Sequence, residues 1–169
     1  AGTDALGTAK ILAAAIERVG ADLVLTATES SDGYTGTVPE QVAELLGLPS
    51  VTFAKEVTVD GGNVAVKRQT EDGYDDVACP LPALVSVTAG VVEPRYPSFK
   101  GIMAAKSKPV EELALADLGI EAGSVGWAGG GQEIVSIEPA PAREAGEIIE
   151  DEGDGHERIM SFLQELKVI

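Results

Sequence analysis

Histidine and cysteine occur once each in this chain of 169 residues, and that scarcity excludes several chemistries. A lone thiol, Cys79, closes no internal disulfide and builds no thiolate zinc cluster. A lone imidazole, His156, leaves no partner for a histidine metal site or proton relay, and no resident metal is expected. Aromatic residues are only 4%, so the core must be built from Ala, Val, Leu and Ile. Basic residues are also few: 12 Lys+Arg stand against 28 Asp+Glu, for a net charge of −16. Such a field repels phosphate backbones and anionic lipid, which argues against nucleic-acid and membrane-surface roles. No apolar run reaches the roughly 18 residues that a membrane span needs. The chain opens without a charged and then apolar leader pattern, so no secretion signal is expected and a reduced, cytoplasmic setting fits best.

What is present suits one ordinary domain with an appended arm. Hydrophobic residues make up 44%, which is incompatible with disorder as the main state. From Thr3 to Val19, Leu6, Ala9, Leu12, Ala13, Ile16 and Val19 recur near helical spacing, with Thr3 or Asp4 as cap and Gly20 as stop. The run Asp22–Ala27 reads as a strand buried on both faces. A polar loop, Thr28 to Thr37, leads to a second helix with Pro39 near its first position, Val42, Leu45 and Leu46 inward, and Gly47 at its end. Ser50–Thr58 is again strand-like, and this alternation predicts an α/β fold: a parallel sheet with crossover helices. Val57–Val59, the turn Asp60–Asn63 and Val64–Val66 then alternate as a hairpin. A turn at Glu71–Gly73 leads to Val77 and Leu81–Thr88, expected as an antiparallel addition. Glu93–Pro97 must be extended, and Ile102–Lys108 suits a short helix. Beyond Gly123 the chain is rich in Gly, Pro and acid; Pro139–Ala142 is neither helix nor central strand, and His156–Leu166 reads as an amphipathic helix. The expected division is 1–121, an α/β domain, and 122–169, an acidic arm.

The most informative stretch is Ala27, Thr28, Glu29, Ser30, Ser31, Asp32, Gly33, Tyr34, Thr35, Gly36, Thr37 and Val38. It lies between a strand's carboxyl end and a helix N-terminus, where open α/β sheets bind ligands. Gly33 and Gly36 permit close backbone approach, and the amides of Thr35–Val38 with the helix dipole suit a phosphate. The pattern matches neither a dinucleotide nor a Walker loop, and on spacing alone a plain capped connection is the better account. The acids do not read as paired catalytic carboxylates, because no histidine attends Glu29 and Asp32, and Asp75, Asp76 and Glu150–Glu152 read as solvated faces. Cys79 reads as a small core residue, His156 as a surface residue and Gly129–Gly131 as a flexible connector. Lys67–Gly73 and Glu93–Met103 resist a compositional explanation. Tyr96 and Phe99 on a proline-bounded loop either fold back onto the domain or await a partner.

Together these residues resemble the β subunit of the electron transfer flavoproteins. Val66–Gly73 followed by Pro82–Thr88 is similar to the family's signature hairpin and strand, and Glu93–Ala105 resembles its extended loop and helix. Asp22–Pro49 resembles its nucleotide loop with flanking elements, and Asp117–Ile120 and Arg143–Gly146 its C-terminal arm. The resemblance implies a Rossmann-like, adenine-nucleotide-binding fold whose N-terminal strands are missing here, so the chain is expected to be a truncated piece. Gln69 stands where many members have glutamate, Pro39 where many have glycine and Val92 where many have asparagine. It further implies an electron carrier, not an enzyme: an α-subunit partner holding most of the FAD, structural AMP at Ala27–Val38, and flavin dehydrogenases docking on Arg95, Tyr96, Pro97, Ser98, Phe99, Lys100, Ile102 and Met103. Two alternatives stand beside it. A bifurcating-type β subunit would carry a second FAD in place of AMP. An independent adenine-nucleotide enzyme would need a magnesium-holding acid and a phosphate-binding lysine, and the loop offers Asp32 but no Lys.

Overall fold

A computed structural model of the chain describes residues 2–143, 146, 148 and 150–169. They fall into two compact units, residues 1–133 and 134–169. The first is an α/β unit around a mixed five-stranded sheet. Helix α1 spans Ala5–Val19, with Asp4 Oδ1 accepting the Gly7 amide at its start and Gly20 closing it. Strand β1 is Leu23–Ala27, helix α2 Val38–Leu46, strand β2 Ser50–Asp60, β3 Asn63–Gln69, β4 Tyr74–Pro80 and β5 Ala83–Val87. The strand order is β1-β5-β2-β3-β4.

The parallel core is β1, β5 and β2, with Leu25 opposite Val85 and Val51 opposite Val85. This corrects the placement of Leu81–Thr88 in the antiparallel addition: β5 is parallel and lies between β1 and β2. Its Ala83, Leu84, Val85 and Ser86 are all buried, as expected where strands flank both edges. The antiparallel part is the β2–β3 hairpin, with Asp60 opposite Asn63, followed by β4 on β3. One continuous strand, β2, serves both parts, and its register shifts between Val51 and Ala54 and again between Ala54 and Glu56 let it turn from one partner to the other.

Helices α1 and α2 cover one face of the sheet. There Ala9, Ala13, Val42 and Ala43 bury against Val24 and Leu84. Small residues on both helices permit this close seat, which suits a chain poor in rings. On the opposite face Val51, Ala54, Val64, Val66, Ala83 and Val85 form a cluster made from strand residues and Leu81 alone. Two expectations about burial change accordingly. Strand β1 is not buried on both faces: it is the sheet's edge, and Leu25, on the helix-free face, is 58% exposed. Leu45 points outward at 48% exposure, while Ala43 takes the buried position beside Val42.

After β5 the chain runs without regular structure to helix α3, Phe99–Ala105, which starts three residues before the expected Ile102 because Ser98 caps it by accepting the Gly101 amide at 3.1 Å. Two short 3-10 turns, Leu115–Leu118 and Ala122–Ser124, precede α4, Gly126–Gly129. The glycines at 129–131 are tied down as well as connecting: Asp4 Oδ2 accepts the Gly131 amide. In the second unit, Pro139–Ala142 has no regular structure and helix α5 spans Gly155–Glu165 with His156 exposed. Within Arg143–Gly146, Glu144 and Ala145 lie outside the described residues.

Candidate functional site

Three parallel strands end side by side. Ala27 is opposite Val87, and Val87 is opposite Ala54, so the segments after β1 and β5 and the bend in β2 share one edge of the sheet. The loop Thr28–Thr37 leaves from this edge. Ala27, Glu29, Ser30, Ser31, Asp32, Gly33, Tyr34, Thr35 and Thr37 are exposed; Thr28, Gly36 and Val38 are half-buried. Ser30 organises the tip: its hydroxyl accepts the Gly33 amide at 3.3 Å and its carbonyl accepts the Tyr34 amide at 3.1 Å. The Ser30 hydroxyl, with the amides of Asp32 itself and Gly33, holds the Asp32 carboxyl below the ordinary aspartate range. Gly36 has φ +63°, where a side chain is strained. A Cβ there would lie 3.7 Å from Glu29 Oε2, so the space over Gly36 is open to anything that displaces that carboxylate.

Helix α2 begins uncapped. Thr37 occupies the cap position, yet its side chain bonds no first-turn amide; its Oγ1 accepts instead from Gln41 Nε2 at 3.2 Å. The first-turn amides of Val38 and Glu40 therefore have no partner within the helix, and Pro39 has none to offer. Two further polar atoms near this edge, Thr26 Oγ1 and Gln41 Oε1, are buried without a partner among the described residues. Thr26 and Gln41 escaped the reading of the sequence, although Gln41 stands one helical turn after Thr37. Open amides, a bare glycine and unpaired acceptors fit a ligand with an oxyanion end and hydrogen-bond donors. The loop's own charges, Glu29 and Asp32, oppose an anion, so the backbone must do the holding.

The second predicted segment is fully displayed. Arg95, Tyr96, Pro97, Ser98, Phe99, Lys100, Ile102 and Met103 are all exposed, with Tyr96 at 98% and Phe99 at 81%. The rings do not fold back onto the domain. Pro94 and Pro97 hold the approach extended, and the Ser98 cap sets where the helix turns begin.

A third feature was not singled out as a site. Phe53, Arg68, Gln69, Thr70, Glu71 and Thr88 line an open cleft of about 650 Å³. Phe53 sits at φ +57°, a strained conformation for a bulky residue, with its amide donating to the buried Ser86 Oγ at 3.1 Å. The cleft explains why Lys67–Gly73 defied composition, but no sequence signal marks Phe53. Among the described residues no group of three or more His, Cys, Asp or Glu is placed to hold a metal ion.

The electron transfer flavoprotein domain profile matches residues 1–118. The chain belongs to the electron transfer flavoprotein family. It is 44% identical to the protein named electron transfer flavoprotein subunit beta of Mycobacterium leprae, over 99% of this chain and 64% of that protein. It is 43% identical to the protein of the same name in Mycobacterium tuberculosis H37Rv, with the same coverage. The subunit beta of Megasphaera elsdenii is 30% identical, over 97% of this chain and 63% of that protein. The chain thus spans just under two thirds of the length of these curated relatives. Both the β1 loop and the displayed helix lie inside the matched flavoprotein domain.

Proposed function

We propose that this chain is the larger part of the β subunit of a heterodimeric electron transfer flavoprotein. In this reading it performs no bond chemistry. It braces an α subunit that holds most of the FAD, binds AMP as a structural nucleotide, and presents a surface on which flavin dehydrogenases dock in the cytoplasm. The FAD, held mainly by the α subunit, would supply the redox chemistry.

The observation that carries the reading is the state of Tyr96 and Phe99 in a chain of this family. All the aromatic rings of this chain are at least partly exposed, but the two most exposed, Tyr96 and Phe99, stand together on a stiffened, capped segment. Large exposed apolar side chains on a rigid mount suit a partner surface. The AMP assignment is supported by the open amides of Val38 and Glu40, the bare Gly36 and the loop's place at the carboxyl edge of the parallel strands. There the phosphate would sit on the amides of Gly36, Thr37, Val38 and Glu40, at the positive end of the helix dipole.

The test is co-expression of the full-length β chain with its α chain, followed by size-exclusion chromatography, flavin absorbance and nucleotide extraction. The expected result is a 1:1 yellow complex that releases AMP on denaturation. A β chain that remains monomeric beside its α chain ends the proposal. Extraction of a second FAD instead of AMP would assign the loop to the larger nucleotide.

A further inference from the structure

Helix α2 has a capping residue and does not use it. Asp4 and Ser98, at the starts of α1 and α3, have extended backbone and accept the amides of Gly7 and Gly101. Thr37 instead has helical backbone, at φ −118° and ψ −9°. Its hydroxyl turns along the helix flank, where Gln41 Nε2 donates to it at 3.2 Å. The other end of that same amide, Gln41 Oε1, is buried without a partner among the described residues. A buried unpaired carbonyl destabilises a fold, and an unused cap forgoes stability that a threonine ordinarily supplies. Both losses fall on one pair of side chains, beside the loop assigned to the nucleotide.

We propose that Gln41 is a positioning residue for the nucleotide: by holding the Thr37 hydroxyl aside, it keeps α2 from capping itself and leaves the first-turn amides to the oxyanion. This rests on the nucleotide reading above and adds what maintains those amides. The sequence makes the competition direct. A capping threonine reaches the amide of the second or third helical residue. Here the second is Pro39, which has no N–H, so the cap would have to take Glu40. That is the same donor the oxyanion needs. The Gln41 bond spans one helical turn and favours helical backbone at Thr37, which points the hydroxyl away from Glu40. Stability that a cap would supply is thus given up, and the donor stays with the ligand.

The test uses the full-length αβ complex stripped of nucleotide, with AMP as the probe in calorimetric titration and amide hydrogen exchange followed at Glu40. Gln41→Leu should let Thr37 cap the helix. Exchange at Glu40 then slows several-fold, and AMP binds about fivefold more weakly, the ordinary worth of a threonine cap. On a Thr37→Ala background no hydroxyl is left to cap, so adding Gln41→Leu should change neither quantity further. An AMP affinity unaltered by Gln41→Leu overturns the inference. An equal loss on both backgrounds also overturns it, because Gln41 would then touch the ligand or merely support the helix. Faster exchange at Glu40 in Gln41→Leu overturns it as well. AMP that is expelled by Gly36→Asp but indifferent to Gln41→Leu leaves the nucleotide reading standing and ends this inference alone. A native complex that takes up no AMP ends both.

Discussion

Asp4 holds Gly131: Oδ2 accepts the Gly131 amide at 2.8 Å while Oδ1 accepts the Gly7 amide at 2.7 Å. One carboxylate therefore caps the first helix and pins the far end of the α/β unit to it. These two amides, Gly7 first, hold the carboxyl below the ordinary aspartate value of 3.8. A group whose folded pKa is depressed contributes stability that is present above its unfolded pKa and lost as pH falls through the folded one. Asp4→Ala should lower Tm by about 2–4 °C at neutral pH. The gap between variant and native protein should narrow as pH falls from the ordinary aspartate range downward. A Tm difference that stays constant into acid would show that the ionised carboxylate is not what matters.

Leu84 tests the architecture. It is fully buried on β5 under α1 and α2, opposite Val24 on β1 and Ser50 on β2. Leu84→Ala removes packing at the point where both helices and three strands meet, and should cost about 3–5 kcal/mol in chemical denaturation. A loss under about 1 kcal/mol would mean that β5 does not lie between β1 and β2 beneath the two helices.

Gly36→Asp tests the nucleotide loop. The substitution places a side chain at φ +63° and a second carboxylate beside Glu29. Backbone strain and like charge both act where a phosphate would sit, at about 1 kcal/mol per close charge in water and more where water is excluded. AMP extracted from the purified αβ complex should fall sharply, while Glu29→Gln should raise AMP affinity a few-fold. Unchanged AMP content in Gly36→Asp places the nucleotide elsewhere.

How far the sequence revealed this molecule depends on how local each signal is. Helices α1 and α2 were legible because their caps and apolar spacing lie within the helices themselves: Asp4, Gly20 and Gly47 stand where the backbone stops. The β2–β3 hairpin was legible from its two-glycine turn. Strand β5 was recognisable as a strand, but its partners are not written nearby. A run that follows two antiparallel hairpins looks like their continuation, and only the distant Leu23–Ala27 and Ser50–Ala54 draw it into the parallel core. Exposure of β1 was also illegible, because an apolar run reads the same at the edge as at the centre. At the site, the loop's position followed from strand and helix order. The open α2 terminus did not, because Thr37 reads as an ordinary cap until its bond to Gln41 is seen.

Phe99 decides between packing and docking. Its ring is 81% exposed at the first position of α3, behind a stiff Pro94–Pro97 approach and the Ser98 cap. Stiffness lowers the entropy lost on binding, and a single ring can dominate a small transient interface. Phe99→Ala should therefore weaken dehydrogenase binding by about 2 kcal/mol, roughly thirtyfold in affinity. It should leave the FAD spectrum of the full complex unchanged, and Tm should move by no more than a degree or two, because so exposed a ring supports little of its own core. A ring buried in the domain would give the reverse, a stability loss of about 3–5 kcal/mol with any binding defect secondary. Melting and electron-transfer rate measured on the same preparation separate the two. A variant that melts early yet accepts electrons at the native rate while folded would remove Phe99 from the docking surface.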